Sequence, residues 1–198
     1  MKQTRANVMG EITGVKYAAK ENFKIFCKIY KGPFAGWAAS EGIDDYFSEA
    51  GDVAVNEGNE SQESQYWSTA TTYYWPDHEY NLAFAAYSPA EFTTAPTSIK
   101  MTEKGLQIEG FKTEANANNQ YDFMYSDRVI DRNKTINGST AVPLVFRHAL
   151  SSIVFSTEKE DENVDYLITD VILTGNFVQQ ADFNQNIVEA DNLTNGIA

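Results

Sequence analysis

The sequence is poor in the residues that most enzyme chemistry depends on. It holds one cysteine and two histidines in 198 residues. A lone thiol closes no internal disulfide, so the redox compartment is not legible. No His-Glu-x-x-His, Cys-x-x-Cys, Gly-x-Ser-x-Gly or phosphate-loop pattern occurs. Basic residues are scarce too: 15 Lys and Arg stand against 28 Asp and Glu, a net charge of −13. That balance excludes nucleic acid and anionic membrane surfaces as partners, because both need a basic face. No run reaches the roughly 18 apolar residues of a membrane-spanning helix. The opening "MKQTRANVMG" has no apolar signal-peptide core. An exported form is expected to carry its targeting segment outside this sequence.

Aromatic residues are plentiful, with 11 Tyr, 12 Phe and 3 Trp, a bias that favours β-structure. Period-2 alternation recurs and helical periodicity is nearly absent. Strands are expected at Phe23 to Tyr30, Thr69 to Trp75, Asn81 to Tyr87, Ser98 to Met101 and Gly105 to Glu109. Three more are expected at Val142 to His148, Ser152 to Thr157 and Tyr166 to Leu173. Only "SEGIDDYFSEAG" could hold a helical turn or two. Gly32-Pro33, Glu103-Lys104-Gly105, Asn137-Gly138 and the acidic "TEKEDENVD" supply turn signals. The expected fold class is therefore all-β, an antiparallel sandwich or barrel of about seven to nine strands. "VPLVFRHALSSIVFS" changes parity between Phe146 and Ile153. Either a bulge restores one buried face, or the strand is buried on both faces. The domain is expected to span residues 1–175. Residues 176–198, polar and weakly patterned, read as a tail or the beginning of a second β-domain.

Each chemically able residue also has a plain structural role open to it. His78, in "PDHEY", belongs to a solvated turn. His148 shares the parity of Leu144 and Phe146, which makes it a satisfied buried histidine or part of a bulge. Cys27 alternates with Phe23, Ile25 and Ile29 and is expected to be a buried strand thiol. "EKEDENVD" lacks the Asp/Asn spacing and glycine of a calcium loop. No carboxylate sits inside an apolar strand, where a raised pKa would mark a general acid. Catalytic residues, cofactor and metal ligands are accordingly expected to be none. Asn59, Asn133, Asn137 and Asn192 head glycosylation sequons in expected loops. Trp37, Trp67 and Trp75, with Tyr66, Tyr73 and Tyr74 nearby, either cover the ends of a sandwich or form an aromatic platform for sugars. That platform would make the chain a carbohydrate-binding module. A β-sandwich glycoside hydrolase is a third and remoter reading.

Three motifs occur in one order. "YYWPDHEYNLAFAAYSP" resembles the Tyr-Trp-Pro, short turn, Leu-x-Phe-x-Ala-Tyr-x-Pro signature of the fimbrillin-like proteins of Bacteroides-type bacteria. "YDFMYSD" and "VPLVFRHALSSIVFS" resemble that family's Asp-Leu/Phe-Met and Leu-x-Phe-x-His-Ala-Leu-Ser-x-Ile segments. "FKIFCKIY" fits its early strand before a Trp-containing loop. The likeness covers roughly Phe23 to Gly175. It implies a transthyretin-like N-terminal sandwich of a type V pilus subunit or related surface lipoprotein, with a further β-domain beyond. It also implies a location on the outer membrane or in a fimbria, held by a lipid anchor in the precursor. The implied partners are other fimbrial subunits, joined by β-strand addition, and host or bacterial surface ligands. In polymerising members an arginine-specific protease trims an N-terminal strand, and Arg5 stands near the corresponding place.

Overall fold

Two nine-residue strands, both written in alternating apolar residues, organise the chain. The computed structural model describes residues 22–56, 67–114, 120–138, 140–150, 155–156, 158, 167–175, 179–187 and 193–197. Among these, twelve strands and one short helix are present, and every strand pairing is antiparallel. β1 (Phe23–Lys31) and β5 (Tyr80–Ser88) pair from Lys24 opposite Tyr87 to Lys31 opposite Tyr80. On the other side of β1 lie β2 (Glu41–Asp45) and β3 (Asp52–Asn56), and β4 (Trp67–Thr69) adds to β3. Beyond β5 lie β8 (Met124–Ser126) and β9 (Val129–Arg132), with β10 (Phe146–His148) outside β8. The second sheet has four strands: β6 (Ser98–Thr102), β7 (Gly105–Lys112), β11 (Gln180–Ile187) and β12 (Leu193–Ile197), in the order β12-β11-β7-β6.

The pleat of β1 and β5 sends alternate residues into two separate clusters. Phe26, Tyr30, Ala83, Ala85 and Tyr87 face the four-stranded sheet and meet Met101, Leu106, Ile108, Phe111, Phe123 and Phe183. Ala83 and Ala85 are fully buried. Their small side chains leave room for the facing aromatics, as close-packed sheets require. The opposite residues, Phe23, Ile25, Cys27, Leu82, Phe84 and Ala86, form a second core with Phe47 and Ala54. No sheet among the described residues covers this face. Tyr46, Trp67, Tyr73, Trp75, Val142, Leu144 and Phe146 lie over it instead. The large sheet is thus apolar on both faces, which explains the unbroken burial from Leu82 to Ser88.

Several sequence expectations change. The strand count exceeds seven to nine because β2, β4, β8, β9 and β10 are short pieces of three to five residues. Residues 72–77 form no strand, although Tyr73 and Trp75 do point inward and Tyr74 outward. Their alternation serves to cover a face, and the Tyr74 carbonyl accepts a hydrogen bond from the Tyr46 hydroxyl. "SEGIDDYFSEAG" holds β2 and a turn, with no helix. The one described helix, α1 (Lys134–Asn137), lies where a turn is expected, its N-terminus capped by the Asn133 side chain at 3.0 Å from Ile136 N. Asn137, a sequon residue expected in a loop, is buried. Val142, Leu144 and Phe146 share one face as expected, but only Phe146–His148 pairs as strand. Residues 167–173, expected as a strand, lie in neither sheet. Of Ser152 to Thr157, only residues 155–156 are described, and they lie in neither sheet. Residues 180–187 and 193–197, polar and weakly patterned in sequence, form β11 and β12. Phe183 is their buried anchor.

Candidate interaction surface

The sheet edges are the exposed features with a defined bonding capacity, since each edge strand leaves one row of N–H and C=O groups free of its own sheet. Among the described strands, the large sheet ends in β10 and β9 on one side and in β4 and β2 on the other. The small sheet ends in β6 and β12. β4 and β10 have three residues each. β2 carries Glu41, Asp44 and Asp45, and charge of one sign discourages an added strand. β6 offers five residues. Its one charge is Lys100, which pairs with Glu109 of the neighbouring strand at 3.6 Å.

The interior behind β6 and β11 is held by a buried amide. Gln185 is 2% exposed. Its Oε1 accepts from Leu106 N at 2.9 Å and its Nε2 donates to the Ser126 carbonyl at 3.1 Å. One side chain on β11 therefore ties β7 in its own sheet to β8 in the other. Gly105 makes room for it: φ is +117°, and a Cβ there would collide with the Gln185 amide.

At one end of the sandwich the loop after β1 folds over Tyr30. The Tyr30 hydroxyl donates to Asp131 Oδ1 at 3.0 Å and accepts from Asp131 N at 2.7 Å. The same carboxylate takes the Phe34 amide at 2.8 Å. Asp131 has φ +55°, within a β5–β9 register shift, so the bulge aims this carboxylate inward. Burial pushes the Tyr30 hydroxyl well above its ordinary value. Arg128 lies 4.6 Å over the Phe34 ring, and loss of solvent lowers its pKa. Trp37 packs against the inter-sheet core here, with Lys28 Nζ 5.5 Å from its ring. That lysine pairs with Asp45 at 2.6 Å.

Trp67 and Trp75 lie elsewhere, half-buried over the outer face, and Trp67 tilts against Phe23 at 5.1 Å. The three tryptophans are thus divided between two clusters. Arg5 and Tyr66 are outside the described residues, as are Asn59 and Asn192. His78 is exposed in its turn. His148 departs from its buried reading. It stands exposed on the edge strand β10, where no further described strand covers it, with Nδ1 2.9 Å from Asp122 Oδ1. Cys27 is 2% exposed, and burial raises its thiol pKa well above the ordinary value. Among the described residues, no cluster of His, Cys, Asp or Glu is placed to hold a metal ion. Nor is any described helix long and apolar enough to cross a membrane.

A family model described as fimbrillin-like matches residues 30–196. The chain belongs to the fimbrillin-like family. The match begins within β1 and ends within β12, so it takes in both sheets of the sandwich. No curated protein and no solved structure gives a significant match to the chain. Membership makes this a structural kind of protein, with a fimbrial, cell-surface setting and other fimbrial subunits as its partners. Sequence reasoning reached the fimbrillin-like motifs but missed Gln185, Asp131 and Tyr30 as organising residues. The one available signal was Tyr30 at the end of an expected strand, since Gln185 and Asp131 lie in stretches that did not read as strands.

Proposed function

We propose that this fimbrillin-like chain is a shaft, tip or accessory subunit of a bacterial surface fimbria, assembled by β-strand addition and without catalysis. The carrying observation is a sandwich whose small sheet ends at β6, a five-residue edge with one ion-paired charge. A strand from a neighbouring subunit would find there a row of backbone donors and acceptors, and affinity would come from the main chain. The ion pair to Glu109 lowers the electrostatic cost of bringing that strand in. Removal of an N-terminal strand after Arg5 would create the acceptor groove in the full protein. A lipid anchor on the exported precursor would hold the first subunit at the outer membrane.

Incubation of the full-length precursor with an arginine-specific protease tests this reading. Ladders on a native gel and filaments by electron microscopy are expected, and an Arg5→Ala variant is expected to stay monomeric. Persistent monomers after verified cleavage at Arg5 would sink the mechanism.

A further inference from the structure

We infer that Lys100, at the centre of β6, decides which strand this edge accepts. It turns away the β6 of a second copy and selects an extended segment that carries a carboxylate between two apolar residues. β6 reads nearly the same in both directions, as Ser98-Ile99-Lys100-Met101-Thr102. Ile99 and Met101 face the inter-sheet core. Lys100 points outward, between two residues whose hydroxyls are already engaged. Ser98 donates to Glu109 at 3.0 Å, and Thr102 donates to the Gly105 carbonyl at 2.8 Å. The chain from 67 to 114 is described throughout, and no described strand pairs with the outer side of β6.

The near-palindrome makes this edge self-complementary in all but one place. Two copies joined edge to edge by a two-fold axis through Lys100 would run antiparallel. Ile99 of one would then lie opposite Met101 of the other, and Ser98 opposite Thr102. Both pairings match like with like, and the inward residues would extend the existing core. The axis itself sets Lys100 against its own copy, with Cβ atoms about 4.5–5.5 Å apart, where like charges repel. A lysine in the middle of an edge strand guards against such pairing.

The same charge is able to meet a carboxylate. Its bond to Glu109 is 3.6 Å long, between side chains that are 53% and 43% exposed, so leaving it costs little. Glu109 then keeps the Ser98 hydroxyl. An Asp or Glu opposite Lys100 on an added strand would gain a cross-strand ion pair. The residues on either side of that carboxylate would point inward beside Ile99 and Met101, where apolar side chains fit. That the donor is a neighbouring subunit rests on the assembly reading above, whereas the charge preference of the edge does not.

A charge-swapped pair of intact chains tests this. The unaltered chain alone and a Lys100→Glu variant alone are each expected to stay monomeric in sedimentation velocity at high micromolar concentration, because like charges meet on the axis. Mixed in equal amounts, they are expected to form a dimer at least about 10-fold tighter than either self-association. Hydrogen exchange at residues 98–102 is expected to slow in that dimer. Lys100→Thr, which removes the charge, is expected to dimerise by itself through the same residues. Lys100 is exposed on the edge, so these replacements leave both cores intact. A mixture no tighter than its separate components would overturn the selection of a carboxylate. Dimers of the unaltered chain with slowed exchange at 98–102, or a Lys100→Thr variant that stays monomeric, would overturn the barrier. Association without protection of 98–102 would place the contact elsewhere and overturn both. Protease-driven filaments enter none of these outcomes, so failure of assembly is distinguishable from failure of the charge gate.

Discussion

Tyr30 shows how one polar group can be worth burying between two apolar sheets. Its ring is fully inside, and its hydroxyl both donates to the Asp131 carboxylate and accepts from the Asp131 amide. Replacing it removes two satisfied bonds at once and leaves the part-buried Asp131 N–H without that acceptor. Tyr30→Phe is therefore expected to cost about 1–3 kcal/mol, read as a lower urea midpoint at unchanged slope. An unaltered midpoint would show that water replaces the hydroxyl at no cost. The Gly105–Gln185 contact argues the same way from sterics. Gly105→Ala meets both a φ of +117° and the Gln185 amide, so it is expected to destabilise more than Gly42→Ala, where φ is +65° and the space is open. Thermal melts of the two variants compare them directly.

At the scale of elements, the sandwich depends on a strand that the sequence hardly announces. β11 pairs with β7 and inserts Phe183 between Phe123 at 5.6 Å and Tyr125 at 4.8 Å. Phe183→Ala would leave a cavity between the sheets, with an expected loss of about 3–5 kcal/mol, measurable by chemical denaturation. β1, β5, β6 and β7 were legible because their apolar residues alternate between clear turns. β11 was not, because in "QADFNQNI" Phe183 is the one large apolar residue before Ile187 and its neighbour on the same face, Gln185, is polar. The stretch around Tyr73 and Trp75 failed in the opposite sense. Its alternation is real, but the residues cover a sheet face and form no ladder there. Alternation reports two environments on two sides of a chain and says nothing of hydrogen-bond partners. The three tryptophans were legible individually as covering residues. Their division between two clusters was not, since it depends on the register of β1 against β5.

For the whole molecule, the buried hydroxyls and thiol set an alkaline limit. Burial raises the pKa values of Cys27, Tyr30, Tyr46 and Tyr87 above their ordinary 9.0 and 10.0. The native state therefore holds these protons more tightly than the unfolded chain. The associated stability is fully present below the ordinary values and is lost as pH climbs past them towards the higher folded-state values. Urea midpoints are expected to fall steadily from about pH 9 upward, and a flat profile to pH 11 would contradict the buried placement. The charge of −13 acts differently. It keeps monomers apart through long-range repulsion, so any assembly has to overcome it by short-range contacts, and added salt is expected to speed filament growth. Filaments of the full-length protein, imaged by electron cryo-microscopy, test the central claim most directly. Strand addition predicts that each subunit contributes an extended segment hydrogen-bonded along a sheet edge of its neighbour, with alternate side chains seated in the groove. Subunits joined only through loops and side chains, with every sheet edge left open to solvent, would contradict it.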